Sequence, residues 1–313
     1  MTDYLERAVE LAESTFGRAH PKPDVGAVLV RDGRVVGEGS TESGGRHGEI
    51  VALEAAGDSA SGATLYVTME PCAHHGTTPP CADAIVAAGV ARVVAGSRDP
   101  NPEAAGGLER LRDGGVEVEL VDSFVARAQT EAWRTGVTLG RPFVPWKVAM
   151  TRDGRVAVPG TRWVSGEESR RYVHELRARS DAVAVGMGTV RADDPRLDAR
   201  GVDAARQPRR LAFGRGPLPP GSGLELRSRP IVDELRALAG EGVQSLLLEG
   251  GPTLAAAFLA EGVVDKMLVF VAPMLAGVGL PMLGDLAGPV TLSRLTADSV
   301  GQDVLLRAYV HEP

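Results

Sequence analysis

The chain has 313 residues, enough for two domains with separate cores, and its 43% hydrophobic and 24% charged residues argue against disorder. The formal net charge is −7, with 13 basic and 21 acidic residues before Phe143, and a surface of that sign disfavours a nucleic-acid partner. The two cysteines, Cys72 and Cys81, lie close together in a chain without a recognisable export signal, which predicts a cytoplasmic, reducing location and a metal or catalytic role.

The first half of the chain alternates helical and strand-like segments. Apolar residues at helical spacing among charged ones predict a surface helix over 1–15. Asp32-Gly33 between two valine-rich runs predicts a hairpin turn, so at least one strand pair should be antiparallel. The remaining pattern predicts strands over 27–30, 64–67 and 90–95 and helices over 50–56, 82–88, 103–112 and 126–135. This order is typical of an α/β domain with a mixed sheet.

A new pattern begins after the turn Gly140-Arg141-Pro142, so we expect a first domain over 1–142 and a second over 143–313. The uncharged run 267–284 is interrupted by prolines and glycines, which favours a strand and a loop over a membrane helix. Residues 201–229 predict a loop with one short strand. The rest predicts strands over 143–149, 182–185, 245–248, 267–271 and 304–310 and helices over 166–177 and 253–260.

Three side chains in the first half have the chemistry of a zinc site. His47, Cys72 and Cys81 offer one imidazole and two thiolates, and three protein ligands leave a fourth position for water, as in catalytic rather than structural zinc. Glu49 is then expected to be the proton shuttle and not a ligand. The alternative is a chance His-x-Glu beside two buried thiols, but both cysteines lie in one segment beside Pro71, which favours zinc.

Around these residues the sequence resembles the cytidine deaminase-like superfamily and, within it, the bifunctional riboflavin-biosynthesis deaminase-reductases. Most of the superfamily has two residues between its cysteines, whereas this chain has eight, in Cys72-Ala-His-His-Gly-Thr-Thr-Pro-Pro-Cys81, which is similar to the riboflavin enzymes' loop. The resemblance continues through 89–94 and 99–102 and covers essentially the whole chain. It implies that His74, His75 and the loop after them form part of a pyrimidine pocket, although both histidines could equally lie in a solvated loop.

The chain departs from that family at two positions near the predicted zinc site. Lys22 stands where many members have Asn, and Gly48 where many have Ala. A lysine at this position could meet a substrate phosphate as a point charge in place of the usual contact.

The second half lacks a Gly-x-Gly-x-x-Gly fingerprint between a strand and a helix, so a nicotinamide site must be built differently. Two glycine segments follow predicted strands. Gly250-Gly251-Pro252-Thr253 precedes a helix whose free amides would face a phosphate, and Gly186-Met-Gly-Thr-Val190 is interpreted as a second glycine turn. Each is also compatible with an ordinary connection between elements.

Both segments are similar to signatures of the riboflavin reductase, a dihydrofolate reductase-like domain that uses NADPH. The resemblance implies that the NADPH site is lined by Ala149, Trp163, Thr189, Asp193, Gly251, Pro252, Thr253 and Leu254. It implies that the substrate is held by Thr161, Arg177, Leu197, Arg200 and Glu249. Two arginines can clamp a ribose phosphate and a glutamate can accept hydrogen bonds from ribose hydroxyls. Lys147 and Asp193 are the candidates for assisting sugar ring opening before hydride transfer, although either could be a solvated ion pair.

We therefore expect an N-terminal cytidine deaminase-like α/β/α domain with a mixed sheet and a C-terminal dihydrofolate reductase-like α/β domain. The expected activities are zinc-dependent deamination of 2,5-diamino-6-ribosylamino-4(3H)-pyrimidinone 5′-phosphate and NADPH-dependent reduction of its ribosyl group to ribityl. The expected partners are this phosphorylated pyrimidine and a second copy of the chain, with no nucleic acid or membrane. The alternative is a nucleoside or tRNA deaminase with a non-catalytic C-terminal binding module.

Overall fold

The computed structural model describes residues 3–15, 19–43, 45–75 and 79–313. The chain divides into two separately packed units, Met1–Leu139 with Pro313 and Gly140–Glu312. Among the described residues, no helix combines the length and apolar character needed to cross a membrane.

The first unit is built on a five-stranded sheet. Its strands are β1 (Gly26–Arg31), β2 (Arg34–Ser40), β3 (Thr64–Val67), β4 (Arg92–Ala95) and β5 (Glu117–Leu120). Its helices are α1 (Asp3–Ser14), α2 (Gly48–Ala56), α3 (Cys81–Ala87), α4 (Gly107–Asp113), α5 (Phe124–Gln129) and α6 (Glu131–Leu139), with a 3₁₀ turn over Gly57–Ala60. The strand order is β2-β1-β3-β4-β5, antiparallel between β1 and its neighbours and parallel from β3 to β5, which confirms the mixed sheet.

The hairpin turn at Asp32 and Gly33 is confirmed, since both residues have positive φ, 50° and 73°, as the tight turn joining β1 to β2 requires. Alternate residues of β1 point to opposite faces of the sheet. Val28 and Val30 pack against α1 on one face, whereas Leu29 packs with α2, α3 and α4 on the other. The sheet is therefore covered on both faces, as an α/β/α domain requires.

Two predicted helices of the first unit differ in the structure. The helix predicted over 103–112 begins at Gly107, because the Asn101 side chain accepts the backbone N–H of Glu103 and holds the preceding residues in a turn. The helix predicted over 126–135 is two helices, which are separated at Thr130, where φ is −111° and ψ is 22°.

The second unit contains an eight-stranded sheet and a separate two-stranded sheet. The strands of the two sheets together are β6 (Pro145–Thr151), β7 (Arg155–Ala157), β8 (Ala182–Gly186), β9 (Arg209–Phe213), β10 (Glu225–Arg227), β11 (Leu246–Leu248), β12 (Lys266–Ala272), β13 (Leu280–Pro281), β14 (Ser293–Val300) and β15 (Asp303–Tyr309). Its helices are α7 (Glu167–Arg179), α8 (Met187–Asp193), α9 (Ile231–Gly240) and α10 (Pro252–Ala260). The sheet order is β10-β9-β8-β11-β6-β12-β15-β14, while β7 and β13 form a separate pair.

The first six strands in that order, β10, β9, β8, β11, β6 and β12, run parallel to one another. The last two, β15 and β14, are antiparallel additions at one edge. Trp146 and the alternate residues of β6 pack against α9 and α10 on one face. On the other face, Phe270 of β12 packs with Val173 of α7. Because the carboxyl ends of parallel strands meet at one edge, the loops after β6, β8 and β11 lie together.

Two predictions in this unit were wrong. Residues 201–229 contain two strands, β9 and β10, instead of one; β10 is short and charged, and Glu225 pairs with Arg209 of its neighbour, so it lacks an apolar pattern. The segment predicted as a glycine turn after β8 is the helix α8, which begins at Met187. Buried Met187 and Val190, three residues apart, anchor its inner face and outweigh the low helix propensity of Gly188.

Candidate active sites

The structure of the first unit brings the three predicted zinc ligands together. His47 Nδ1 lies 3.6 Å from Cys72 Sγ and 3.2 Å from Cys81 Sγ, and the three candidate ligand atoms all lie within 4.8 Å of one another. Tetrahedral zinc bonds of about 2.3 Å to sulfur and about 2.0 Å to nitrogen separate these ligand atoms by about 3.5 Å. The donor types and their spacing therefore fit one zinc ion.

Two of the three candidate ligands lie at helix N-termini, and the third lies in a loop. His47 is the N-cap of α2, Cys72 lies in the loop after β3, and Cys81 is the first residue of α3. The Cys81 backbone N–H donates to Cys72 Sγ at 3.4 Å, which joins the two cysteines directly. Gly48 lets α2 begin close to β1, since a Cβ there would lie 2.3 Å from the Val25 carbonyl oxygen.

The pKa values of the two thiols are shifted in opposite directions. The hydrogen bond from the Cys81 thiol lowers the pKa of Cys72 to about 4, with a further contribution from His47, although burial opposes the shift. The same contact with Cys72, together with burial, raises the pKa of Cys81. The hydrogen bond to Cys72 also raises the pKa of His47. Cys72 is therefore the more acidic of the two thiols, and a bound cation favours deprotonation of both sulfurs.

Glu49 occupies the first turn of α2 beside these ligands. Its side chain is buried, with the residue 3% exposed, and among the described residues no group donates to its Oε2 atom. Burial is the main cause that raises the pKa of Glu49 to about 7. A carboxyl group with a pKa near neutrality and one unused oxygen can accept and return a proton, which is the role predicted for it.

Glu70, two residues before Cys72, is a functional candidate for which no role was predicted. Its side chain is completely buried, and its carboxylate accepts backbone N–H bonds from Asp99, Gly106 and Leu108 at 3.2, 3.1 and 3.1 Å. The available sequence signal was an acidic residue between Met69 and Pro71, which indicates a buried carboxylate but does not identify its partners.

The residues predicted to line the pyrimidine pocket are only partly described. His74 and His75 are exposed, and residues 76–78 of the same loop lie outside the described part of the chain. Lys22 is half-buried, and its Nζ donates to the Gly45 carbonyl oxygen at 3.0 Å, two residues before His47.

In the second unit, the two glycine segments lie side by side where β8 and β11 end. A Cβ on Gly186 would lie 3.5 Å from the Leu254 side chain, and one on Gly251 would lie 3.8 Å from Thr189 Oγ1. Gly251 is the N-cap of α10, and Pro252 occupies its first turn, where a missing N–H costs nothing. The adjoining helix starts leave room for close backbone approach, so they fit the phosphates of a dinucleotide such as NADPH.

A partly buried ion cluster surrounds Glu249 at the end of β11. Arg177 donates from Nε to Oε1 at 2.6 Å and from Nη2 to Oε2 at 3.0 Å, and Lys147 Nζ lies 3.2 Å from Oε2. Burial alone would raise the pKa of Glu249, but Lys147 and Arg177 outweigh it and lower the pKa to about 2. Arg177 was predicted to help to clamp the ribose phosphate. Its Nε and Nη2 donors instead bond to Glu249.

The predicted substrate residue Arg200 joins this cluster through Asp198. Arg200 Nη1 lies 2.5 Å from Asp198 Oδ1, and Arg177 Nη1 donates to the Asp198 carbonyl oxygen at 3.2 Å. His174 Nδ1 lies 3.0 Å from the same carbonyl oxygen, so one turn of α7 supports this segment. Leu197 is buried beside it.

The remaining predicted residues are spread along the same unit. Ala149 lies two residues after Lys147 on the same face of β6. Trp163 is 54% exposed, and the guanidinium carbons of Arg162 and Arg170 each lie 5.4 Å from its ring centroid. Thr161 is half-buried, and Asp193 is exposed at the last residue of α8 and forms no ion pair among the described residues. The structure thus joins Lys147 to Glu249 and not to Asp193.

Family models match both units. Residues 1–97 match the cytidine and deoxycytidylate deaminase zinc-binding region, and residues 142–220 and 225–306 match the RibD C-terminal domain.

Whole proteins match over almost their full lengths. The chain is 40% identical to riboflavin biosynthesis protein RibD of Mycobacterium tuberculosis, over 96% of this chain and 94% of the relative. It is 37% identical to RibD of Aquifex aeolicus, over 97% of both chains. The crystal structure of a diaminohydroxyphosphoribosylaminopyrimidine deaminase/5-amino-6-(5-phosphoribosylamino)uracil reductase from Thermotoga maritima superposes with a TM-score of 0.86 at 34% identity, over 98% of this chain and 97% of the other. The chain therefore belongs to the RibD family of bifunctional riboflavin-biosynthesis deaminase-reductases.

Proposed function

We propose that the chain catalyses two consecutive steps of riboflavin biosynthesis. The first unit deaminates 2,5-diamino-6-ribosylamino-4(3H)-pyrimidinone 5′-phosphate, and the second reduces the ribosyl group with NADPH to give 5-amino-6-(5-phosphoribitylamino)uracil. The observation that carries the proposal is the convergence of His47, Cys72 and Cys81 beside buried Glu49, in a chain that matches RibD relatives from end to end.

We assign the deaminase to residues 1–142 and the reductase to residues 143–313. We propose a cytoplasmic location, supported by two free, buried cysteines that a reducing compartment would preserve as metal ligands. We further propose a homo-oligomer, supported by the apolar side chains that remain exposed in the second unit, such as Leu275, Val278 and Leu295.

In the deaminase, His47, Cys72 and Cys81 would hold zinc, which when bound supplies a Lewis acid that lowers the pKa of water. Glu49 takes a proton from the attacking water and delivers it to the amine nitrogen. The new bond joins the water oxygen to the ring carbon, the carbon–nitrogen bond breaks, and ammonia leaves. Burial raises the pKa of Glu49, which favours the protonated carboxyl group that must form when the proton is transferred.

In the reductase, bound NADPH supplies the hydride, and the protein supplies binding and orientation. Opening of the sugar ring leaves a carbon–nitrogen double bond, the carbon of which accepts the hydride while the nitrogen accepts a proton. We assign assistance of ring opening to Lys147, with Asp193 as the second candidate. Glu249 binds ribose hydroxyls, and Arg177 holds Glu249 in place. Arg200, whose side chain is half exposed, contacts the phosphate.

The remaining assignments follow the family resemblance. Thr161, Leu197 and, in the deaminase, His74 would contact the substrate. The NADPH site would be lined by Ala149, Trp163, Thr189, Asp193, Gly251, Pro252, Thr253 and Leu254.

The test is to supply the phosphorylated diaminopyrimidine and to follow ammonia release together with NADPH absorbance. We expect ammonia first and NADPH oxidation only on the deaminated product. Ammonia release from cytidine or tRNA but not from the pyrimidine phosphate would favour the alternative deaminase. Ammonia release without NADPH oxidation would make the second unit a binding module.

A further inference from the structure

Glu70 connects the loop that carries Cys72 to residues 99–108, which lead from β4 into α4. Its carboxylate accepts three backbone N–H bonds, and all three donors, Asp99, Gly106 and Leu108, belong to this segment. The side chain is completely buried, so water cannot replace these bonds. The Glu70 carboxylate therefore fixes both ends of the segment.

The middle of the same segment covers the two sulfurs. Ala104 packs in one buried cluster with Cys72 and Cys81, and its carbonyl oxygen accepts the Ala73 N–H at 3.0 Å. A Cβ on Gly107 would lie 1.7 Å from the Pro71 carbonyl oxygen, so the two backbones are in direct contact there. Residues 99–108 thus form one wall of the site that contains the candidate metal ligands.

We propose that Glu70 is a positioning residue of the metal centre: it holds residues 99–108 over the two sulfurs, and so determines how firmly Cys72 and Cys81 retain zinc. The proposal rests on the zinc-dependent function proposed above. Partners that orient metal ligands typically change metal affinity by about 10-fold to about 100-fold when removed. A residue that served folding alone would lower stability without a specific effect on the metal.

Two substitutions separate these roles. Glu70→Ala removes all three acceptor bonds. Glu70→Gln keeps one oxygen for Gly106 and Leu108 but turns an NH₂ group toward the Asp99 N–H, so it should have an intermediate effect.

Asp303→Asn is the matched control because it makes the same carboxylate-to-amide change in the second unit. Asp303 is also buried, at 1% exposure, and accepts bonds from the Gly166 N–H at 2.7 Å and the Ser169 hydroxyl at 2.6 Å.

The experiment compares zinc-loaded full-length proteins in two measurements, the rate of zinc release to a chelating dye and the absorption spectrum after cobalt substitution. We expect release to be at least about 10-fold faster in Glu70→Ala, intermediate in Glu70→Gln and unchanged in Asp303→Asn. The thiolate-to-cobalt bands should shift in both Glu70 variants only. Wild-type release rates and spectra in the Glu70 variants would overturn the proposal.

If Glu70→Ala does not fold, Glu70→Gln decides by the same two measurements. Failure of the wild-type protein to bind zinc at all would instead contradict the proposed deaminase function.

Discussion

Arg177 and Glu249, 72 residues apart in the chain, form a partly buried two-bond ion pair at the carboxyl end of β11. Lys147 approaches the same carboxylate from β6, so one anion is paired with two cations. Glu249 is therefore ionised and fixed before any substrate arrives, and the geometry of the second site depends on it.

This cluster predicts a pH dependence of stability. The folded-state pKa of Glu249 is lowered from 4.5 to about 2, so its contribution to stability is present above pH 4.5 and is lost as the pH falls toward 2. Below pH 4.5 we expect wild type to lose up to about 3 kcal/mol of unfolding free energy that Glu249→Gln does not lose. Chemical unfolding from pH 6 to 2 measures this, and parallel profiles for the two proteins would contradict it.

Lys147→Ala should separate the two activities. We expect NADPH oxidation to fall by about 100-fold or more because the proposed ring-opening group is removed, while ammonia release stays at the wild-type rate. Arg177 still neutralises Glu249 in this variant, so the second unit should remain folded. Equal loss of both activities would argue against the assignment of Lys147 to the reductase alone.

Glu49→Gln should stop deamination without removing the metal. The amide keeps the size of the side chain but cannot carry a proton, so we expect kcat for ammonia release to fall by about 100-fold to about 10,000-fold. Zinc content should match wild type, since Glu49 is not a proposed ligand. Loss of zinc from this variant would show that the carboxylate coordinates the ion.

Lys22→Gln tests whether this lysine meets the substrate phosphate. The amide retains a donor for the Gly45 carbonyl oxygen but removes the charge, so we expect KM for the phosphorylated pyrimidine to rise by about 10-fold with little change in kcat. Arg46→Gln is the control because Arg46 is already paired with Glu42 and Glu54. An equal effect on the dephosphorylated substrate would contradict a phosphate contact.

The zinc ligands were predictable because they depend on residue type and spacing, and two cysteines in one segment leave few alternatives. The mixed sheet was also predictable, because Asp32-Gly33 carries its turn geometry in the local sequence. The role of Glu70 could not be predicted, because its partners are backbone N–H groups brought to it by the fold.

The errors have local physical causes. Gly188 suggested a turn, but the burial of Met187 and Val190 stabilises α8, and tertiary packing outweighs propensity. The exposed pattern of β14 gave no alternation to detect, since Arg294, Thr296 and Asp298 are as exposed as the residues between them. The ion pair between Arg177 and Glu249 could not be predicted, because α7 and the end of β11 are brought together only by the fold.

The most direct test of the zinc-dependent deaminase is metal analysis of the purified protein beside His47→Ala and Cys72→Ser, with ammonia release measured on the same samples. We expect about one zinc ion bound at the first unit of each wild-type chain, with ammonia release from the pyrimidine phosphate. Both variants should lose the metal and the activity together. Full ammonia release by zinc-free variants would contradict the account.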